Sequence, residues 1–141
     1  MSTVLVLPSD DPVHASAIGD FLNGDLAAAL VAPEPGVGSQ SARTCSAINT
    51  LAPSPPLTFV AYGEAALCLP AVALSQRTAH RLVAEYVLVE PVLPPVTDSW
   101  PDARVTVVTD DTGSSASLQG RLRGWTVVTH EAFARWRPDE P

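Results

Sequence analysis

The 141 residues carry fifteen acidic side chains against eight basic ones, all arginine, for a net charge of −7. With 46% hydrophobic residues the chain is an ordinary globular sequence, and its length suits a single domain, 1–141, able to bury roughly 68–70% of the surface its unfolded chain exposes. An acidic chain without a basic cluster is repelled by a nucleic-acid backbone or an anionic membrane, which sets both aside as partners.

Cys45 and Cys68 are too few and too far apart for a disulfide framework or a zinc site, and reduced cytoplasmic thiols are the expectation. The first residues, Met-Ser-Thr-Val-Leu-Val-Leu-Pro, have no basic region and too short an apolar run for a signal peptide. No stretch approaches a membrane-spanning length of uninterrupted apolar residues. A lysine-free composition rich in Ala, Pro, Val and Arg points to a GC-rich bacterial genome.

In chain order, Thr3 to Leu7 is a continuous apolar run ended by Pro8, the pattern of a strand covered on both faces of a parallel sheet. Ser9-Asp10-Asp11-Pro12 reads as a turn. Ser16 is placed to cap a helix running to about Asn23, with Gly24 as its stop. Leu26 to Ala32 reads as a second buried strand, although its alanines favour helix, and Pro33 to Ser39 is loop. Ser41 to Leu51 can form a helix that the Pro53-Ser54-Pro55-Pro56 stretch cannot continue.

Leu57 to Ala61 is rich in branched and aromatic side chains and reads as a central strand, with Tyr62-Gly63-Glu64 turning at once into a helical run, Glu64 to Arg81. Pro70 should kink that helix in its second turn. Glu85 to Glu90 is the next strand, 91–102 is a proline-rich loop, and Arg104 to Thr109 is a Val-rich strand. A helix from Ser114 to Arg123, a strand from Trp125 to Thr129, His130 and a terminal helix to Trp136 complete the chain. Strands alternating with helices imply right-handed crossovers and a mainly parallel six-stranded sheet with helices on both faces.

Ligands of such sheets bind outside the carboxyl ends of the strands. The residues just past those ends are Ser9, Asp10 and Asp11; Glu34; Tyr62, Gly63 and Glu64; Glu90; Asp110 and Asp111; and His130. The turn Ala61-Tyr62-Gly63-Glu64-Ala65 has the small flanking residues of a G-x-S-x-G nucleophile elbow, but its centre is Gly63.

The order of these parts resembles the α/β-hydrolase fold, and among its branches a small thioesterase core. The pieces are Val4-Leu5-Val6-Leu7-Pro8 with its turn, Leu30 to Ala32 followed by Pro35-Gly36-Val37-Gly38, the elbow-like turn, Tyr86 to Glu90, Val105 to Asp111, and a last strand ending at His130. The resemblance implies a minimal three-layer α/β sandwich, His130 as catalytic histidine, Asp110 or Asp111 as its acid, and oxyanion donors near Glu64 and Ser9. It departs from the family at Gly63, in the absence of two leading strands, and in a 91–103 stretch too short for a large lid.

Glycine offers no hydroxyl for a histidine to deprotonate, so acyl-enzyme chemistry is not expected. The expectation is a pocket that binds a small acyl or polyketide-like molecule, with His130 and a carboxylate for isomerisation, elimination or cyclisation. A non-catalytic accessory or partner-binding protein, or an esterase with a displaced nucleophile at Ser9 or Cys68, are the alternatives. A hydrogen bond between His130 and Asp110 or Asp111 is the geometric condition for the acid/base reading. Glu64 is a second candidate acid or base; Ser9, Asp10, Tyr62, Gly63 and Glu90 are candidate ligand contacts. His14 and His80 read as surface residues. No motif calls for a cofactor or metal, and an exposed sheet edge offers a route to a homodimer.

Overall fold

The computed structural model describes residues 3–24 and 26–138. Strands β1 (Thr3–Val6), β2 (Ala29–Leu30), β3 (Leu57–Tyr62), β4 (Val83–Val89), β5 (Arg104–Val108) and β6 (Thr126–Val128) form one sheet in the order β2-β1-β3-β4-β5-β6. Every neighbouring pair is parallel. The helices are α1 (Pro12–Leu22), α2 (Gln40–Leu51), α3 (Leu69–Thr78), α4 (Ser115–Leu122) and α5 (His130–Phe133), with a 3-10 helix at Gly63–Cys68.

Side chains alternate across the strands and build two cores. One face holds Leu5, Phe59, Tyr86, Leu88, Val107 and Trp100 together with Ile48 of α2 and Leu69 and Val72 of α3. The other holds Val4, Val6, Val60, Tyr62, Val87, Val89 and Val108 beneath Ile18 of α1, with Phe133 of α5 against it. All six residues of β3 are buried, as a strand covered on both faces requires. Each large apolar side chain removed from water in this way contributes about 1.5–3 kcal/mol before entropy is counted. The result is a three-layer α/β sandwich of the α/β-hydrolase-like kind.

Four local expectations change. Asp11, not Ser16, caps α1: its carboxylate accepts from Val13 N at 2.9 Å and Pro12 opens the helix, where a missing N–H costs nothing. The second strand shrinks to Ala29–Leu30, both exposed, at the sheet edge. Pro70 kinks no helix, because the chain first makes the 3-10 turn Gly63–Cys68 and α3 then starts at Leu69, leaving the proline in its first turn. The last helix is the single turn His130–Phe133, capped by Thr129, which accepts from Ala132 N at 3.1 Å.

The strand order turns back on itself between β1 and β3, which puts a crevice at their carboxyl ends. The Gly63 turn lies at that crevice. Parallel register then aligns the other ends in a row: Val89 of β4 pairs with Val108 of β5, and Val108 with Val128 of β6.

Candidate functional site

Glu90 follows β4 and keeps one more rung of the ladder, its N–H donating to Val108 O at 2.9 Å. Its φ is then +45°, in the left-handed region that a side chain rarely occupies. Strained positions of this sort gather at functional sites, where surrounding contacts hold them. Here those contacts bind the carboxylate at both oxygens. His130 Nε2 lies 2.8 Å from Oε1, and the Thr109 hydroxyl donates to Oε2 at 3.2 Å. An ionised carboxylate only accepts, so Nε2 carries the proton and Nδ1 is the ring's basic nitrogen. The two side chains are each 43% exposed, so the pair stands at a surface rather than in the core.

The carboxylates expected beside His130 do other work. Asp110 accepts from the backbone N of His130 at 2.9 Å, fixing the start of α5 rather than the imidazole. Asp111 turns back on its own loop, where its carboxylate accepts from Gly113 N at 3.0 Å and its carbonyl from the Ser114 hydroxyl at 2.8 Å. The condition set on Asp110 and Asp111 is thus not met: neither touches the imidazole, and the carboxylate that hydrogen-bonds it is Glu90, expected among the ligand contacts.

Gly63 has φ +60°. A β-carbon added there would lie 2.5 Å from Nε2 and 2.6 Å from Cδ2 of His14. The imidazole of His14, in the first turn of α1, thus occupies the space into which a side chain at the elbow would project. Its ring centroid lies 6.4 Å from that of Tyr62. From the sequence His14 reads as a surface residue; in the fold it is half-buried against the Gly63 turn. The signal that could have found it was Asp11-Pro12, a capping residue and proline that start the helix early enough to aim its first turn at the crevice.

Two cavities meet at this point. The first, about 620 Å³, lies between α1 and α5 and is walled by Val13, Ala17, Phe21, Leu26, Phe133 and Trp136. Phe21 and Phe133 stack on each other in its wall, ring centroids 5.5 Å apart. Tyr62, His14, Glu90 and His130 bring polar atoms to its edge. Burial, with the negative charge of Asp20 adding to it, pushes the Tyr62 hydroxyl up to about 12, so it stays a neutral donor. The second cavity, also about 620 Å³, is lined by Ser9, Asp10, Glu64, Gln40, Cys68 and Val92. His14 and Glu90 belong to both.

Glu64 is exposed at the start of the 3-10 helix and faces the second cavity. The Ser9 hydroxyl accepts from Asp11 N at 3.2 Å and so braces the turn before α1. Gly63 O accepts from Val92 N at 3.1 Å, tying the segment after Glu90 to the elbow. Trp100 is fully buried in the opposite core and does not fill either cavity. Among the described residues no group of three or more His, Cys, Asp or Glu side chains converges to hold a metal ion, and no helix is long and apolar enough to cross a membrane.

No family model matches the chain, and no curated protein matches it. A solved structure does: a thioesterase domain, NocB, in covalent complex with a fluorophosphonate nocardicin G analogue. The TM-score is 0.53 at 15% identity, over 91% of this chain and 82% of that one. At that identity the likeness supports the thioesterase-like, hydrolase-like fold alone.

Proposed function

We propose that this chain binds a small acyl-type or polyketide-like molecule between α1 and α5 and carries out acid/base chemistry on it, with His130 as the proton-transferring group and Glu90 as its partner. The observation that carries the reading is a largely apolar chamber of about 620 Å³, open to solvent, whose lining includes the hydrogen-bonded His130–Glu90 pair. Its volume falls in the range of small-molecule sites, which are mostly apolar with a few convergent polar groups.

Glu90 fixes the imidazole tautomer and would stabilise the imidazolium once Nδ1 takes a proton. Gly63 supplies no nucleophile, which favours proton transfer over a covalent acyl-enzyme. On an acyl substrate, isomerisation, elimination and aldol-type cyclisation can each begin with such a transfer next to a carbonyl.

The test is calorimetric titration with octanoyl-N-acetylcysteamine, a neutral acyl thioester, beside the variant Ala17→Trp, whose indole would fill the chamber. Binding by the parent chain and its loss in the folded variant is the expected result. No binding, or equal binding by both, overturns the reading.

A further inference from the structure

We propose that His14 is the side chain this site presents at the elbow, donating a hydrogen bond from Nε2 to the carbonyl oxygen of the bound acyl group. This inference rests on the reading above. Three observations lead to it. First, Gly63 and the His14 ring are mutually exclusive with any side chain at position 63, since a β-carbon there would stand 2.5 Å from Nε2. The glycine is thus the complement of the imidazole, and the elbow's space is filled from α1. Second, His14 borders both cavities, and so does Glu90, the acid partner of His130. A ligand reaching from the first cavity, which His130 also lines, towards the second passes His14 and Glu90. Third, no side-chain hydrogen bond among the described residues holds the His14 ring, which lies beside Tyr62 with Nε2 at the Gly63 turn.

With His14 as donor, the chemistry closes without a covalent step. The bond between the α-carbon and its hydrogen breaks, the proton forms an N–H bond at His130 Nδ1, and the electron pair moves through the α-carbon to the carbonyl oxygen. The negative oxygen is stabilised by the N–H of His14 Nε2, and the imidazolium of His130 by Glu90. Returning the proton to the same or a conjugated carbon restores the enzyme, with no oxidation or reduction. A neutral His14 suffices, because it donates from Nε2 and never has to charge.

The experiment is carbethoxylation of the three histidines by diethyl pyrocarbonate, followed by mass spectrometry, with and without octanoyl-N-acetylcysteamine. His80, exposed beyond α3 and outside both cavities, is the internal control. At about ten times the dissociation constant of the probe, modification of His14 and His130 should slow about tenfold while His80 is unchanged. A second readout is exchange of the α-hydrogens of the probe in deuterated water. Removing one oxyanion donor costs about 10²–10³ in rate, so His14→Ala should lose that much and His14→Gln, which keeps an N–H donor, should recover part of it. Protection of His130 with His14 still fully reactive overturns this inference and leaves the chamber reading standing. Protection of neither removes both. Protection of His14 with exchange unaltered in His14→Ala overturns its role as donor.

Discussion

Gly63→Ala should be costly for two separable reasons, and one of them should disappear when His14 is removed. The residue has φ +60°, where an L side chain costs about 1–2 kcal/mol. The new β-carbon would also stand 2.5 Å from His14 Nε2 and 2.6 Å from Cδ2. Ordinary carbon contacts lie at about 3.5–4.0 Å, so the ring must retreat by about 1 Å. Since α1 is anchored by Ile18 in the core, the ring moves rather than the helix. Leaving its rotamer costs about 0.5–1.5 kcal/mol. The sum is about 1.5–3.5 kcal/mol in the parent chain and about 1–2 kcal/mol in a His14→Ala background. Urea unfolding of the four proteins of the cycle gives both values, provided the slopes agree. If Gly63→Ala costs the same in both backgrounds within about 0.5 kcal/mol, the imidazole does not occupy the elbow and the reasoning fails.

Three further outcomes follow from particular side chains. Glu85 is 2% exposed on β4, and its carboxylate accepts from Arg104 at 3.0 Å and from the Thr106 hydroxyl at 2.6 Å. Arg104→Ala takes away its charged partner and should cost about 1.5–3 kcal/mol in urea, far more than an exposed ion pair; a cost near zero would mean that solvent screens the carboxylate. Trp100 is fully buried beside Tyr86, and among the described residues its indole N–H makes no hydrogen bond of good geometry, so Trp100→Phe loses chiefly volume. It should cost about 1–2 kcal/mol where Trp100→Ala costs about 3–5, and equal losses would contradict that account.

The chain's two tyrosines are both held protonated. Tyr62 is pushed up to about 12 by burial and by Asp20, and Tyr86 is raised too, by burial and by donating to Asp102 at 2.7 Å. An unfolded tyrosine ionises near pH 10. Stability is therefore intact below about pH 10 and declines as the pH rises towards 12, because only the unfolded chain releases these protons. Tyrosinate absorbance should appear together with unfolding. A separate step near pH 10 with the fold intact would refute it.

Five of the six strands could be read from the chain because burial on both faces writes itself as unbroken runs such as Val4 to Leu7 and Tyr86 to Val89. The edge strand was legible only in outline: Leu26 to Ala32 reads as a buried strand, whereas only Ala29–Leu30 pairs, both exposed at the sheet edge, in a stretch whose alanines favour helix. The elbow's position and the strand-end residues were also legible, since they depend on local turn chemistry. Which of those residues touch was not. Glu90 meets His130 across forty positions only because β4, β5 and β6 align their ends, and because a left-handed backbone at Glu90 aims the carboxylate. Asp110 looked like the nearer partner in sequence, yet the backbone N–H of His130 claims it. His14 was invisible for a similar reason: its significance is the gap left by a glycine forty-nine positions away.

The most direct test of the account is solvent-deuterium exchange at the α-carbon of octanoyl-N-acetylcysteamine, followed by NMR with the parent chain and with His130→Ala shown to be folded. General acid–base groups contribute about 10²–10⁴ in rate. Exchange by the parent chain, reduced by about that factor in the variant and without release of free thiol, is the expected result. Exchange that is absent in the parent chain, or equal in both proteins, would contradict it.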